Sequence, residues 1–126
     1  MYRLSSLLLF FAFLFAFNGQ AQNAEKGITF FKGSFKDALV EAQKQNKPLF
    51  VDFYAVWCGP CKRMAKEVFT QDSVGAYFNA NFISLQLDAE KGDNVALAKQ
   101  YNVEAFPTLA FIAADGKAIS VNTGAM

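Results

Sequence analysis

Leu49-Phe50-Val51-Asp52-Phe53-Tyr54-Ala55-Val56-Trp57-Cys58-Gly59-Pro60-Cys61-Lys62 runs from a continuous apolar segment directly into a Cys-x-x-Cys turn. Its first half is apolar on both alternating faces except at Asp52, the pattern of a central parallel strand covered on both sides. Pro60 follows where a helix would begin, and in a first helical turn its missing N–H costs nothing. Cys58 and Cys61 are the only two cysteines of the 126 residues. A bridge between them closes almost no loop and adds little stability. The pair therefore reads as a dithiol that switches between reduced and oxidised states.

The segments on either side alternate between strand and helix patterns. Ile28-Thr29-Phe30-Phe31 is a short β-type run. Ser34 can cap a helix whose apolar residues, Phe35, Ala38, Leu39 and Ala42, recur at helical spacing until the polar run before Pro48. After the cysteines, Met64, Val68 and Phe69 continue one face of a helix. Thr70-Gln71-Asp72-Ser73 interrupts it, and Asp72 or Ser73 can cap a second piece reaching about Asn79. Phe82 to Leu87 alternates as a strand. Asp93 or Asn94 caps a short helix with Val95, Leu97, Ala98 and Tyr101. Pro107 opens a strand over residues 108–113, Asp115-Gly116 is a hairpin signal, and residues 117–121 return. The expected order is β, α, β, α, β, α, β, β, in one domain without repeats or internal linkers.

Residues 1–21 read as a signal peptide. Arg3 supplies a positive start, Leu7 to Phe17 is an uninterrupted apolar run, and Gly19-Gln20-Ala21 offers small residues for cleavage after Ala21. The run is shorter than the about 20 residues that a membrane span needs. An uncleaved leader would instead anchor the chain to a membrane. Arg3 is the only charged residue of this segment, so the remaining residues, 22–126, carry 11 basic and 11 acidic side chains. That balance gives no sign of nucleic-acid binding or of an anionic membrane surface. Export places the dithiol in an oxidising compartment, where it stays a disulfide unless something reduces it.

Cys58 stands just before a helix N-terminus, where unpaired N–H groups and the helix dipole favour a thiolate. Lys62, Arg63 and Lys66 add positive charge nearby. Cys58 is therefore the expected nucleophile. Cys61, one turn further on, is expected to be shielded and to act second, with Gly59 and Pro60 shaping the turn. A zinc site would need four ligands, and the chain has no histidine and no third cysteine. A copper-binding dithiol and an inert buried pair are the remaining alternatives. Asp52, six residues before Cys58, has two open readings: a buried carboxyl with a raised pKa that exchanges a proton with Cys61, or a solvated residue near a strand end. Pro107 is either cis or an ordinary trans proline. Trp57 and Phe106 belong either to the core and rim or to a substrate contact.

Val51 to Lys62 closely resembles the active-site strand and turn of thioredoxins. Phe106-Pro107-Thr108 matches the second signature of that family, a proline held cis beside the dithiol. Asp88 after the Phe82–Leu87 run, and Asp115-Gly116, fit its third strand and last hairpin. The likeness covers about residues 28–124. It implies an α/β thioredoxin fold, a central mixed sheet flanked by helices. It implies Cys58 as nucleophile, Cys61 as resolving thiol, Asp52 as buried proton acceptor, and a substrate groove formed by Trp57, Gly59, Pro60, Phe106 and Pro107. Lys62-Arg63-Met64, Glu67-Val68-Phe69 and the broken helix resemble exported members and the C-terminal domain of the bacterial thiol:disulfide interchange protein. Ser84 stands where cytosolic members carry a lysine near the buried aspartate, which implies a differently tuned proton relay. Family members continue beyond Thr123-Gly124-Ala125-Met126 into a final amphipathic helix, so the resemblance implies a domain over 22–126 truncated at its C-terminus.

The leader and the resemblance together imply a thiol:disulfide oxidoreductase that is periplasmic or otherwise exported. The Gly-Pro pair between its cysteines resembles the reducing members. It would act as a monomer on protein disulfides, with no organic cofactor, and would be re-reduced by a membrane electron-donor thiol protein. The alternatives are a disulfide oxidase or isomerase using the same residues, or a module that holds a metal or a client thiol without turnover.

Overall fold

A computed structural model describes residues 26–126. The expected leader, residues 1–21, lies outside them. Helix α1 (Phe35–Gln45) begins at Ser34, whose side chain accepts the Asp37 N–H while the Asp37 carboxylate accepts the Ser34 N–H. This reciprocal capping box satisfies two donors that the first turn leaves free. The helix outlasts its apolar pattern. It is ended by Asn46 in the left-handed conformation (φ 52°), whose N–H returns to the Ala42 and Gln43 carbonyls.

Strand β1 (Leu49–Tyr54) follows, then α2 (Gly59–Glu67), α3 (Asp72–Asn81), β2 (Ile83–Asp88), α4 (Asn94–Gln100), β3 (Thr108–Ile112) and β4 (Ala118–Thr123). The sheet order is β2-β1-β3-β4. β1 and β2 are parallel, and the other two pairings are antiparallel. This mixed sheet with helices on both faces is the thioredoxin fold.

Alternation along β1 sorts its side chains between two cores. Leu49, Val51 and Phe53 join Ile83, Leu85, Leu87, Ala110 and Ile112 against Ala38 and Ala42 of α1 and Ala98 of α4. Phe50 points the other way, into a cluster with Met64, Phe69, Phe78 and Leu109. Its ring centroid lies 4.7 Å from that of Phe78 and 5.3 Å from that of Phe111. Asp52, two residues on, shares the Phe50 face, and so is directed toward α2.

Three local expectations change. Residues 28–31 make no strand: Phe30 forms one isolated parallel bridge with Ser84. The neighbouring donors go elsewhere, Ile28 N–H to the Phe69 carbonyl (2.7 Å) and Thr29 N–H to Asn79 Oδ1 (2.8 Å), so no ladder can extend. Helix α3 is entered at Gln71 rather than at Asp72 or Ser73, without a side-chain cap. Its Gly75 N–H reaches the Gln71 carbonyl, which already places Asp72 inside the first turn. Asp93 precedes α4 but makes no capping bond.

The hairpin between β3 and β4 turns at Asp115-Gly116, with Gly116 at φ 89°. Tyr101 Oη donates to the Gly116 carbonyl at 2.6 Å and ties the turn to the end of α4.

Candidate active site

The end of β1 and the start of α2 carry the two cysteines. The Cys58 N–H donates to the Ala55 carbonyl (3.1 Å), a tight turn that delivers Cys58 to the N-cap of α2. Pro60 falls in the first helical turn. Cys58 and Cys61 are joined in a disulfide, their Cα atoms 5.3 Å apart. Cys58 Sγ accepts the Cys61 N–H at 3.2 Å, so the sulfur occupies the place of a capping oxygen. An N–H donor and a helix N-terminus therefore meet at this sulfur, the kind of surroundings that favour negative charge.

The two cysteines are 3% and 4% exposed. Cys61 is shielded as expected, and in the oxidised pair Cys58 is shielded equally. Both sulfurs lie beneath the turn, which leaves Gly59, Pro60 and Trp57 at the surface. Helix position, not burial, distinguishes them: Cys58 caps the helix and Cys61 lies within it.

Asp52 is 1% exposed, and its Oδ1 accepts no hydrogen bond from any described residue. Burial pushes its carboxyl from the ordinary 3.8 up to about 6, while the Gln86 side-chain amide acts in the opposite direction. The solvated reading of Asp52 is excluded by this burial. Gln86 stands opposite Asp52 in the parallel β1–β2 register. Both line a cleft of about 280 Å³, together with Tyr54, Cys61, Lys62 and Ala65. The cleft thus holds a carboxyl of high proton affinity and one wall of the disulfide. The Tyr54 phenol is pushed above 10 by burial and then by the negative charges of Asp88 and Asp52.

Ser84 pairs with Phe50 in the register, one step along β1 from Asp52 on the same face, and its buried Oγ has no hydrogen-bond partner among the described residues. The polar neighbour of Asp52 is therefore Gln86. Sequence reading missed Gln86, Tyr54 and Glu90. Only the strand alternation that puts Ser84, Gln86 and Asp88 on one face could have indicated the first.

Phe106 packs on Ala55, Cys58 and Cys61. The Phe106–Pro107 peptide bond is cis, and Pro107 is fully buried, its carbonyl accepting the Gly124 N–H at 2.8 Å. Trp57 is 66% exposed and meets Phe106 edge-on, with centroids 5.9 Å apart and planes at 72°. Its indole N–H donates to Glu90 Oε1 at 2.6 Å. Among the described residues no three His, Cys, Asp or Glu side chains cluster as metal ligands would. Among the same residues, no helix is long and apolar enough to cross a membrane.

This geometry has counterparts. The family model described as a thioredoxin-like domain matches residues 35–126. The thiol:disulfide interchange protein DsbD of Yersinia pestis is 39% identical over 110 residues, covering 83% of this chain and 18% of the relative. The chain therefore spans less than a fifth of that relative's length. The solution structure of a disulphide-isomerase candidate from Bacteroides thetaiotaomicron superposes with a TM-score of 0.72 at 46% identity, covering 80% of this chain and 84% of that one. The oxidised C-terminal domain of Neisseria meningitidis DsbD gives a TM-score of 0.61 at 27% identity, with 79% and 89% covered.

Proposed function

The chain belongs to the thioredoxin-like domain family, and from that premise we propose that it is an exported thiol:disulfide oxidoreductase that reduces protein disulfides. The observation that carries this reading is the position of Cys58: its sulfur caps α2 and accepts the Cys61 N–H, with Asp52 in the cleft behind Cys61.

The Cys58 thiolate attacks one sulfur of a substrate disulfide, forms a mixed disulfide and expels the first substrate thiolate. Cys61 then gives its proton to the Asp52 carboxylate and attacks Cys58 Sγ. The second substrate thiolate leaves, and the Cys58–Cys61 disulfide remains. Two electrons have passed to the substrate. Trp57, Gly59, Pro60 and Phe106 form the groove that presents it, with the buried Pro107 supporting the groove from beneath. A donor thiol protein at the membrane must then re-reduce the pair, because an exported dithiol meets oxidising surroundings. The leader expected over residues 1–21 and the likeness to DsbD support export to the periplasm. The enzyme acts as a monomer and needs no organic cofactor.

A second reading, disulfide oxidase or isomerase, is favoured by the likeness to the Bacteroides structure. The reduction potential of the Cys58–Cys61 pair, measured in glutathione and dithiothreitol buffers, separates the two. A value near about −270 mV supports the reductase, and one of about −120 to −180 mV overturns it in favour of the second reading.

A further inference from the structure

Trp57 is the only tryptophan of the chain and stands mostly in solvent. An exposed indole on a loop would ordinarily sample several rotamers, and fixing it costs conformational entropy. Among the described residues it makes one hydrogen bond, the 2.6 Å contact to Glu90. A neutral N–H donating to a carboxylate is a charge-assisted bond, stronger than one between neutral groups.

Glu90 is itself held. Its N–H donates to Asp88 Oδ1 at 3.1 Å, and the preceding Ala89 N–H donates to the Tyr54 carbonyl at 2.8 Å. The turn after β2 is thereby fastened to the last residue of β1, just before the loop that bears Trp57. On its other side the indole meets Phe106, which packs against the cluster formed by Ala55 and the two cysteines. Three segments distant in sequence thus converge beside the disulfide. Val56 and Trp57, 62% and 66% exposed, give that rim an apolar surface.

We propose that Glu90 is a positioning residue of the substrate groove: its carboxylate holds the Trp57 indole edge-on against Phe106, so the apolar wall beside Cys58 is built before a substrate arrives. The consequence for substrates rests on the reductase reading above. A protein disulfide gains from a wall that is already ordered, because less freedom is lost on binding. A small aromatic disulfide that reaches Cys58 without spanning the wall gains nothing.

The test uses the full chain with E90A, E90L and E90Q. Fluorescence anisotropy decay of the single tryptophan and its indole N–H resonance read the ring without turnover. Steady-state kinetics compare insulin with a small aromatic disulfide. The expected result is a mobile ring in E90A and E90L and a wild-type-like ring in E90Q, which keeps an acceptor. In E90A and E90L the KM for insulin rises about threefold to tenfold, the size of one hydrogen bond's net contribution, with kcat and the small-disulfide rate unchanged. A ring as rigid in E90A as in the wild type overturns the proposal. So does an E90Q protein that behaves like E90A, or an equal loss with both substrates. A wild-type protein that leaves insulin intact overturns the reductase reading instead, and the ring measurements still decide what Glu90 does.

Discussion

Asp52 and Gln86 face each other across the parallel β1–β2 ladder, and both open into the cleft that Cys61 borders. The arrangement sets two opposed influences on one carboxyl. Burial favours its protonated form, and the Gln86 amide favours the charged form.

Asp52→Asn should stabilise the protein near neutral pH. The native carboxyl holds its proton up to about 6 against 3.8 ordinarily. Folding is therefore helped fully below the lower value, and that help is lost as pH rises through the higher one. The difference corresponds to about 3 kcal/mol at most. Denaturant unfolding should show the variant more stable by about 2–3 kcal/mol near pH 7.5 and nearly equal to wild type near pH 3. An equal gain at both pH values would contradict this account.

The same group should leave its mark on kinetics. With Asp52 as proton acceptor, release of a mixed disulfide by Cys61 speeds up as pH rises through about 6. Rapid-quench measurements on a preformed mixed disulfide should show that inflection in the wild type and lose it in Asp52→Asn.

Gln86→Leu should move the Asp52 midpoint above about 6, because it removes the amide and deepens the desolvation. NMR titration of the Asp52 carboxyl carbon checks the direction. A midpoint that stays or falls would show that the amide does not oppose burial.

Gly75→Ala should cost about 1–3 kcal/mol. A Cβ at Gly75 would run into the Gly27 backbone carbonyl, and backbone cannot swing aside as a side-chain end can. The segment before Phe30 should loosen first, seen as faster amide exchange at Ile28, whose N–H is bonded to the Phe69 carbonyl.

Phe50→Ala should destabilise by about 3–5 kcal/mol, the range for emptying a large aromatic from a packed core. Phe50 is fully buried and its ring meets those of Phe69, Phe78 and Phe111. Thermal unfolding is the readout, with the redox potential of the cysteine pair expected to change little.

Much of this protein is written in short-range chemistry. The double-faced apolar run at Leu49–Tyr54 specifies a covered strand, because side chains alternate with period two whatever lies beyond. The Ser34 cap, Pro60 in a first turn and the Asp115-Gly116 turn are equally local, since each follows from dihedral preference or from a hydrogen bond within a few residues. The position of the dithiol at a helix start follows from the same signals.

Tertiary structure alone decided the rest. Residues 28–31 look like a strand, but Ile28 and Thr29 find their partners in Phe69 and Asn79, and only Phe30 and Phe31 touch the sheet, at the single residue Ser84. Gln86 becomes the neighbour of Asp52 only through the register of two strands that α2 and α3 separate in the chain. Glu90 meets Trp57 across 33 residues. Such contacts depend on which segments pack together, and no local periodicity encodes them. The amino-acid sequence by itself settled the strand, the helix start and the redox pair. Packing decided which side chains surround that pair, because burial and register are properties of segments brought together from distant parts of the chain.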